Sequence, residues 1–373
     1  RSLAAPMIVS DPYAVSKLAA HPEALRRLRE TGDGTLITVH LMPQNLCNQR
    51  CAFCSYRLPD NKNSLVFNEG AHIPLPHLIE LLDDFQEMGV RGVEVTGGGE
   101  PLAYPYRDEL WNALAARGFD TALVTNGTLM RGRAELVTQR MKWARVSIDA
   151  AEESTYRTMR KAVGSHFRLA WAAVEDLRQH RPADPEFRLG VGFVLSNENI
   201  GEVYKFVRMA RDSGADNVRL SVTFSDQHKD YFEDHAAVED AIQASIRAKH
   251  DFESGAFKVH TLIPTRWNEV LHPAQDSHRG PTKDLLCVVE GEGKVYTCCT
   301  FTGSLSGLDG RFTEHPRGFR GLWEDHAEWR RSLDASQYCQ VTCLYRDRNL
   351  AMNALIDAPI MPPVQQHQHD SFI

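Results

Sequence analysis

Short apolar runs rich in β-branched residues alternate along most of the chain with longer segments whose apolar residues recur every three or four positions. The short runs predict strands at residues 37–42, 92–96, 120–125, 144–149, 188–195 and 217–223. The longer segments predict helices at residues 74–88, 106–117, 131–141, 165–179 and 200–213. Because parallel strands need crossover helices, the repeat predicts a mostly parallel sheet, either curled into a partial barrel or covered by helices on both faces. Both arrangements place the chemistry at the C-terminal ends of the strands.

Changes in this rhythm divide the chain into five predicted segments. Residues 1–35 form a short helical preface, and residues 36–224 contain the six strand-and-helix units. Residues 225–284 form a connection of loops with one helix at 235–249. Residues 285–358 carry most of the cysteines and begin with a hairpin, whose strands at 286–289 and 294–298 flank a glycine-rich turn. Residues 359–373, which combine prolines with repeated glutamine and histidine, are expected to form a mobile tail.

Composition and charge restrict the class of protein and its partners. The 373 residues are 42% hydrophobic and 24% charged, which excludes a disordered or fibrous chain. Forty-two Lys and Arg against 49 Asp and Glu give a net charge of −7, so no global positive field is available to hold nucleic acid or an anionic membrane. No apolar run reaches the roughly 18 residues of a membrane span, and the first residues lack the pattern of a signal peptide. We therefore expect a cytoplasmic protein with a small-molecule partner.

The eight cysteines fall into two groups, which indicates metal binding or catalysis because the cytoplasm keeps thiols reduced. The first group, Cys47, Cys51 and Cys54, directly follows the first predicted strand. Three thiolates on one tight loop can hold three irons of a 4Fe-4S cluster and leave the fourth iron open to a substrate. A zinc loop is the alternative, although its cysteine spacings differ and its fourth ligand would have to come from elsewhere.

Four motifs on successive predicted strands make residues 36–224 resemble the radical S-adenosylmethionine (SAM) enzymes. The cysteine loop is the first motif, and its Phe53 matches the family residue that packs on the adenine of SAM. The other three motifs match segments that surround SAM at the ends of the second, third and fourth strands of this family: Gly98, Gly99, Glu100 and Pro101; Thr125 and Asn126; Ser147 and Asp149. Glycines let a backbone approach a ligand closely, and the carboxylate of Glu100 can accept hydrogen bonds from the SAM ammonium group.

The resemblance implies an α/β fold, a partial (β/α)6 TIM-like barrel, that binds SAM and a 4Fe-4S cluster on the first cysteine group. In this family the reduced cluster cleaves SAM to methionine and a 5′-deoxyadenosyl radical, which removes a hydrogen atom from an unactivated carbon. A flavodoxin- or ferredoxin-type reductant supplies the electron. The cofactors carry the chemistry, and the protein supplies orientation and a dry cavity.

The second cysteine group resembles the start of the family's SPASM and twitch extensions, in the spacing from the hairpin turn to the next cysteine. Those extensions carry auxiliary clusters. The resemblance implies a second 4Fe-4S cluster in a small twitch-like domain, with Cys287, Cys298, Cys339 and Cys343 as ligands. A structural zinc ion on the same four thiolates is the alternative. The remaining thiol, Cys299, either packs as a small apolar residue or donates a hydrogen atom to a substrate radical, as in radical SAM epimerases.

Charged residues on the predicted strands are candidates for substrate contacts, namely Glu94, Arg188 and Arg219. The preface is too short for the winged-helix module with which many family members grip a peptide, and this favours a small substrate. Family members of this size often act on the sugar part of nucleosides, aminoglycosides or other antibiotic intermediates, by decarboxylation, epimerisation, dehydration or dehydrogenation. The resemblance leaves a lyase, an isomerase and an oxidoreductase open.

Two other functions remain open from the sequence. A radical SAM peptide maturase would form thioether or carbon-carbon crosslinks, often with an open iron on its auxiliary cluster. An iron-sulfur electron carrier or redox sensor would need neither the glycine-rich SAM motif nor SAM itself. Formation of 5′-deoxyadenosine after reduction would exclude this last function.

Overall fold

The structure, a computed structural model, describes residues 8–9, 15–58, 67–182, 186–223, 228–272, 280–298, 307–334, 343, 345–357, 366–367 and 369–373. Its strands are β1 (Ile8–Val9), β2 (Thr38–Leu41), β3 (Gly92–Val95), β4 (Asp120–Thr125), β5 (Trp143–Ser147), β6 (Arg188–Leu195), β7 (Asn217–Val222), β8 (Lys258–Thr261), β9 (Leu286–Val289), β10 (Val295–Tyr296) and β11 (Gln366–His367). Its α-helices are α1 (Pro22–Thr31), α2 (Leu75–Glu87), α3 (Arg107–Ala116), α4 (Ala134–Arg140), α5 (Glu153–Arg160), α6 (His166–Gln179), α7 (Val203–Asp212), α8 (His235–Phe252), α9 (Ile263–Leu271), α10 (Gly318–Asp325), α11 (Ala327–Ser332) and α12 (Arg346–Asp357). None of these helices is both long and apolar enough to cross a membrane.

Nine of these strands form one open sheet in the order β10-β9-β2-β3-β4-β5-β6-β7-β8. Neighbouring strands run parallel except at the β10 edge, where β10 is antiparallel to β9. The α/β class and the parallel sheet are confirmed, and the sheet does not close into a complete barrel. All six predicted strands form, with ends within two residues of the predicted ones, because each is an apolar run that the core buries.

The sheet contains two more parallel strands than the sequence predicts. The strand β8 is not predicted because Lys258 and His260 alternate with Val259 and Thr261, so its four residues contain no apolar run. The predicted hairpin is present as β9 and β10, but β9 pairs in parallel with β2, in the register Val39 to Cys287. The hairpin therefore extends the sheet that residues 36–224 build.

Alternate residues of the parallel strands face opposite sides of the sheet. Outward residues such as Val39, Val93 and Val191 are fully buried in the main core, where helix residues such as Leu78 and Phe85 of α2 cover them. The inward residues are largely polar and line a cavity in the barrel interior. The fold thus separates an apolar outer layer, which holds the sheet and helices together, from a polar interior.

The last described residues contradict the expected mobile tail. Ser371, Phe372 and Ile373 are buried at the end of the barrel where the strands begin. The hydroxyl of Thr38, at the start of β2, donates to the carbonyl oxygen of Ser371 at 2.7 Å, and the backbone nitrogen of Ile373 donates to the same hydroxyl at 3.1 Å. The residues before Phe372 and Ile373 are mostly polar, and this composition led to the prediction of a mobile tail. The burial of these two apolar side chains holds the segment in place.

Candidate active site

The first three cysteines lie on the loop that follows β2, at the C-terminal edge of the sheet. Cys47, Cys51 and Cys54 are each partly exposed and line one cavity of about 340 Å³. The backbone nitrogen of Cys54 donates to the carbonyl of Cys51 at 3.2 Å, which closes a turn. The backbone nitrogen of Ala52 donates to the carbonyl of Met159 at 2.6 Å and so attaches the loop to the end of α5.

The residues predicted to bind SAM line the same cavity, together with Arg219 of β7. They are Phe53, Gly98, Gly99, Glu100, Pro101, Thr125, Asn126, Ser147 and Asp149. They come together because they lie on the cysteine loop and at the ends of β3, β4 and β5, and parallel strands all end at one edge of the sheet. The structure therefore assembles this predicted set around the cysteines, while the role of each residue toward SAM stays a prediction.

Two glycines allow the turn after β3 to lie directly against the cysteine loop. A β-carbon on Gly99 would lie 2.1 Å from the carbonyl oxygen of Leu46, and one on Gly98 would lie 2.6 Å from the ring of Phe67. Gly99 faces backbone atoms, so this position requires glycine, whereas a side chain at Gly98 would need the partly exposed ring of Phe67 to shift. The sequence predicts that these glycines make room for a ligand, whereas the structure shows them packed against Leu46 and Phe67.

The carboxylate of Glu100 is buried behind this turn. Its Oε1 accepts from Thr125 Oγ1 at 2.5 Å and from the nitrogen of Leu102 at 3.0 Å, and its Oε2 accepts from the nitrogen of Asn126 at 2.8 Å. Burial raises the pKa of Glu100, and these hydrogen bonds oppose the rise. Since a carboxylate oxygen can accept two hydrogen bonds, Oε2 has capacity left for an ammonium group.

Side-chain amides connect the turn after β4 to the cysteine loop. Asn126 Nδ2 donates to Asn48 Oδ1 at 2.8 Å, and Asn48 Nδ2 donates to Thr128 Oγ1 at 2.8 Å. Both oxygens of this pair are hydrogen-bonded, because Asn126 Oδ1 accepts from the nitrogen and the hydroxyl of Thr128. The loop is thus supported by β4 as well as by α5, which fixes where the thiols lie.

Two guanidinium groups flank the thiols. Arg160 Nη1 lies 3.8 Å from Cys51 Sγ, and the same side chain makes a fully buried ion pair with Asp149. Arg57 Nη1 lies 3.7 Å from Cys54 Sγ. Positive charge beside a sulfur favours the thiolate, which is the form that binds metal. The sequence motifs do not include Arg57, although a basic residue three positions after Cys54 could have indicated a group beside the thiols.

Asp149 adopts a left-handed backbone conformation with φ of 64°, which is uncommon for a residue other than glycine. One of its carboxylate oxygens accepts from the nitrogen of Val194 at 2.8 Å, and the other pairs with Arg160. Both oxygens of this carboxylate therefore already have partners within the protein. Ser147, two residues earlier, is half-buried in the wall of the cavity and is the polar group of this motif that a ligand can reach.

The donor set fits an iron-sulfur cluster. Burial raises the pKa of Cys51 to about 12, against the lowering effect of Arg160, so binding of a metal must displace the proton. Within the described ranges, no group of three or more His, Cys, Asp or Glu side chains is already arranged as a metal site. The fit instead rests on three thiols of one loop that face one cavity, with two guanidinium groups beside them.

A larger cavity of about 780 Å³ occupies the barrel interior and adjoins the first. Thr96, Gly97 and Arg219 line both cavities. Glu94 and Arg188 line the larger cavity, so all three predicted substrate residues face one space. The structure therefore places a candidate substrate cavity next to the cavity of the cysteines.

The second cysteine group lies only partly within the described residues. Cys299 and Cys339 fall outside them. Cys298 follows β10, and the carbonyl of Cys343 accepts a hydrogen bond from Arg266 Nη1 at 3.0 Å. The twitch-like domain, its auxiliary cluster and the hydrogen-atom donor role of Cys299 stay predictions.

Cys287, the other predicted ligand of the auxiliary cluster, lies on β9 with no exposed surface. It belongs to the apolar core, whereas its neighbour Val288 lines the interior cavity. Because side chains alternate along a strand, the Cys287 thiol points toward the helix layer. Among the three predicted ligands that the structure describes, Cys287 is the one that this placement favours least.

Comparison with known proteins agrees with this geometry. The family model of the radical SAM superfamily matches residues 41–238, which is more than half of the chain. The chain belongs to the radical SAM superfamily. Membership implies an enzyme that uses SAM and a 4Fe-4S cluster, and the matched range contains the first cysteine group and every predicted SAM residue.

Among radical SAM relatives, two S-adenosylmethionine-dependent nucleotide dehydratases are similar to part of the chain. The protein from Flammeovirga pacifica is 26% identical over 136 residues, which are 36% of this chain and 46% of the relative. The protein from a Thermoplasmatales archaeon is 28% identical over 124 residues, which are 32% and 40%. The GTP 3′,8-cyclase of Synechococcus elongatus is 25% identical over 253 residues, which are 67% and 68%. The chain therefore spans less than half of the two dehydratases.

Solved radical SAM structures share the fold. Streptococcus suis SuiB bound to S-adenosylmethionine superimposes with a TM-score of 0.59 at 14% identity, over 87% of this chain and 71% of SuiB. The structure of anSMEcpe with bound AdoMet gives a TM-score of 0.60 at 15% identity, over 84% and 87%. At these identities the likeness concerns the fold alone.

Proposed function

We propose that this radical SAM enzyme removes a hydrogen atom from a small substrate held in the interior cavity, and that the reacting carbon belongs to a sugar. Nucleosides, aminoglycosides and other antibiotic intermediates carry such sugars. The observation behind the proposal is that the interior cavity adjoins the cysteine-lined cavity, with Thr96, Gly97 and Arg219 in the wall of both. A substrate held there lies next to the SAM residues and inside the barrel wall.

In this proposal Cys47, Cys51 and Cys54 hold the 4Fe-4S cluster, and Glu100 and Ser147 contact SAM. When bound, the cluster and SAM supply the one-electron cleavage to methionine and a 5′-deoxyadenosyl radical, which takes a hydrogen atom from the substrate. A flavodoxin- or ferredoxin-type protein supplies that electron.

The residues of the interior cavity orient the substrate and keep water out. Glu94 Oε2 lies 3.6 Å from His40 Nε2 in the cavity wall, so this pair can hydrogen-bond a polar group of the substrate. Arg188 and Arg219 supply positive charge to the same space. The barrel wall excludes solvent, which protects a radical from side reactions.

Cavity size and the named relatives support this substrate class. The interior cavity, at about 780 Å³, lies in the range of about 300–1,000 Å³ that small-molecule sites occupy. Two of the relatives are named for dehydration of nucleotides and a third for cyclisation of GTP. We therefore favour loss of water, a lyase outcome, among the four that the sequence leaves open.

The auxiliary cluster belongs to the same proposal. Its support is the resemblance of the hairpin that carries Cys298 to SPASM and twitch hairpins. A second cluster would serve either electron transfer or substrate binding, and its presence is measurable as iron beyond that of the first cluster.

The test is the iron and sulfide content per chain after anaerobic reconstitution, with 5′-deoxyadenosine formation measured after reduction. We compare the wild type with a variant in which Cys47, Cys51 and Cys54 are replaced by alanine. We expect the variant to lose about four irons and all SAM cleavage. Ser55→Ala serves as a control, because Ser55 lines the same cavity without a thiol.

Continued SAM cleavage by the triple variant would refute the assignment of the first cluster. Absence of 5′-deoxyadenosine in the reduced wild type would support the electron-carrier function instead. If peptides stimulate SAM cleavage and nucleosides or aminoglycosides do not, the substrate is a peptide and the small-substrate proposal fails.

A further inference from the structure

The interior cavity is basic although the chain as a whole is acidic. Eight Lys and Arg side chains and three Asp and Glu side chains line it, whereas the whole chain carries a net charge of −7. Low-dielectric walls lined by one sign of charge concentrate the field inside such a cavity. The interior therefore attracts anions, which the rest of the surface repels.

Three of the basic residues lie on neighbouring inward positions of the sheet. Arg145 of β5 pairs in register with Gly190 of β6, and Lys258 of β8 shares that row through one intervening residue of β7. Arg219 of β7 lies one row higher, in register with Gly192 of β6. Arg145, Arg219 and Lys258 thus surround one side of the interior, above a strand that carries two glycines.

Gly192 of β6 lies beside Arg145. A β-carbon on Gly192 would lie 3.5 Å from Cδ of Arg145, so the aliphatic part of that arginine lies along the bare strand. A glycine inside a strand weakens it and commonly marks the close approach of a ligand or another group. Here a β-carbon would make an ordinary van der Waals contact with Arg145, so the position of this arginine beside the strand does not depend on the glycine.

Two of the three cations have no acidic partner among the residues that the structure describes. Neither Arg145 nor Lys258 lies within 4.0 Å of a described carboxylate oxygen, and the guanidinium of Arg145 lies over the ring of Trp143, 5.7 Å from its centroid. The nearby acid Asp216 is already paired with Arg181 at 2.8 Å. Half-buried cations without acidic partners are costly, and a bound anion offsets that cost.

We propose that Arg145, Arg219 and Lys258 bind a phosphate group of the substrate. Two or more cations around one position match the charge of a phosphate ester or a diphosphate better than that of a single carboxylate, and the arginines can bind phosphate oxygens in pairs. This inference rests on the proposed function, because it makes the substrate a phosphorylated sugar or nucleotide.

The position of the site also orients that substrate. Arg145 precedes Ser147 by two residues on β5, which corresponds to about 7 Å along the strand. A phosphate at Arg145 therefore places an attached sugar at the level of Ser147, where SAM is proposed to bind. The phosphate anchors the molecule deep in the barrel, and the carbon that reacts is held at the upper end.

Calorimetric titration of the anaerobically reconstituted full chain tests the site, with inorganic pyrophosphate as the probe and no SAM present. We expect Arg145→Gln and Lys258→Gln each to weaken pyrophosphate binding about tenfold or more. Arg145→Lys keeps the charge and should recover part of the affinity, which a misfolded variant would not do. Arg168→Gln is the matched control, because Arg168 is exposed on α6 and its loss should leave the affinity unchanged.

The same titration with nucleoside triphosphates, the corresponding nucleosides and citrate separates the outcomes. Triphosphates should bind more tightly than nucleosides, and citrate should compete weakly. Equal affinity of the glutamine variants and wild type for pyrophosphate, or citrate binding as tight as pyrophosphate, would overturn the phosphate site. Pyrophosphate binding in a protein that never forms 5′-deoxyadenosine would refute the proposed function and leave the anion site standing.

Discussion

Arg57 connects three parts of the active site through one side chain. Its Nη1 donates to the carbonyl of Gly98 at 3.2 Å and its Nη2 to the carbonyl of Asn45 at 3.1 Å, while Nη1 also lies near the sulfur of Cys54. Only a tenth of the side chain is exposed. A residue of this kind positions the thiols and the glycine turn relative to each other and also brings positive charge to the sulfur.

We expect Arg57→Gln to weaken SAM binding and cluster retention, each by about tenfold, because two buried carbonyl oxygens lose their donor. Iron retained after anaerobic incubation with a chelator, together with the dissociation constant for SAM, measures both effects. Arg50→Gln is the control, since Arg50 shares the partner Glu69 with Arg57 but is 72% exposed. Equal iron retention in the two variants would contradict the positioning role.

His369 makes stability depend on pH at the lower end of the barrel. Burial, together with the positive charges of Lys17, Arg188 and Lys142, lowers the pKa of His369 to about 4, against a raising effect of Glu186. Between the unfolded pKa of about 6.5 and about 4, the unfolded chain binds a proton that the folded chain does not. Stability from the neutral histidine is therefore complete above pH 6.5 and falls by about 3 kcal/mol as the pH drops toward 4.

Urea unfolding of the wild type and of His369→Asn at pH values from 7.5 to 4.5 measures this dependence. Asparagine tolerates the left-handed backbone of this position, where φ is 58°, and does not titrate. The wild type should lose more stability than the variant as the pH falls. Identical slopes would show that the histidine is already protonated in the folded chain.

At the scale of elements, the sequence predicts the six strands whose core-facing residues make a clear apolar pattern and misses β8, in which Val259 alone faces the core. Six strands are apolar runs, so their pattern is visible. β8 alternates Lys258 and His260 toward the interior cavity with Val259 toward the core, and four residues are too few to show the alternation. The pairing of β9 with β2 could not be predicted, because partners of parallel strands depend on the course of the intervening chain.

The candidate site also has a part that could be predicted from the sequence and a part that could not. The cysteine loop and the glycine turn could be predicted, because they occur together with two further motifs on successive strands in the order of the radical SAM family. The contacts that hold these motifs together could not be predicted from the sequence. Arg57 donates to the backbone carbonyl of Gly98, and Asn48 bonds the side chains of two residues after β4. The three hydrogen bonds on Glu100 depend on how two turns pack.

Cys287 allows a prediction at this scale. Cys287→Ala removes a sulfur from a fully buried position of β9, so we expect a loss of about 1 kcal/mol in unfolding free energy. We expect its iron content after reconstitution to equal that of the wild type, because the thiol faces the helix layer. Iron analysis alongside Cys298→Ala checks this. A matching loss of iron in both variants would restore Cys287 to the ligand set.

For the whole molecule, the last described residues close the barrel where the strands begin. The Nζ of Lys17 donates to the carbonyl of Phe372 at 2.6 Å, and the ring of Phe372 meets that of Trp143 edge to face, with centroids 5.6 Å apart. Phe372 and Ile373 line the lower part of the interior cavity. The floor of the cavity is thus made by a segment far in sequence from the strands it contacts.

We expect Phe372→Ala to destabilise the protein by about 3 kcal/mol, because the truncation leaves a cavity next to Trp143. The midpoint of urea unfolding measures the loss. Leu169→Ala is the control, since Leu169 on α6 is 38% exposed and its truncation should cost far less. Equal midpoints for the two variants would show that the floor segment does not contribute to stability.

The parallel pairing of β9 with β2 also bears on synthesis of the chain at the ribosome. Leu41 and its partner Val289 are separated by about 250 residues, which take roughly 12 to 50 s to emerge at roughly 5–20 residues per second. During that interval one edge of β2 has no neighbour, while β3 to β8 can already assemble against its other edge. The nascent chain therefore exposes an apolar strand edge that other chains can bind, and it needs protection from aggregation until β9 arrives.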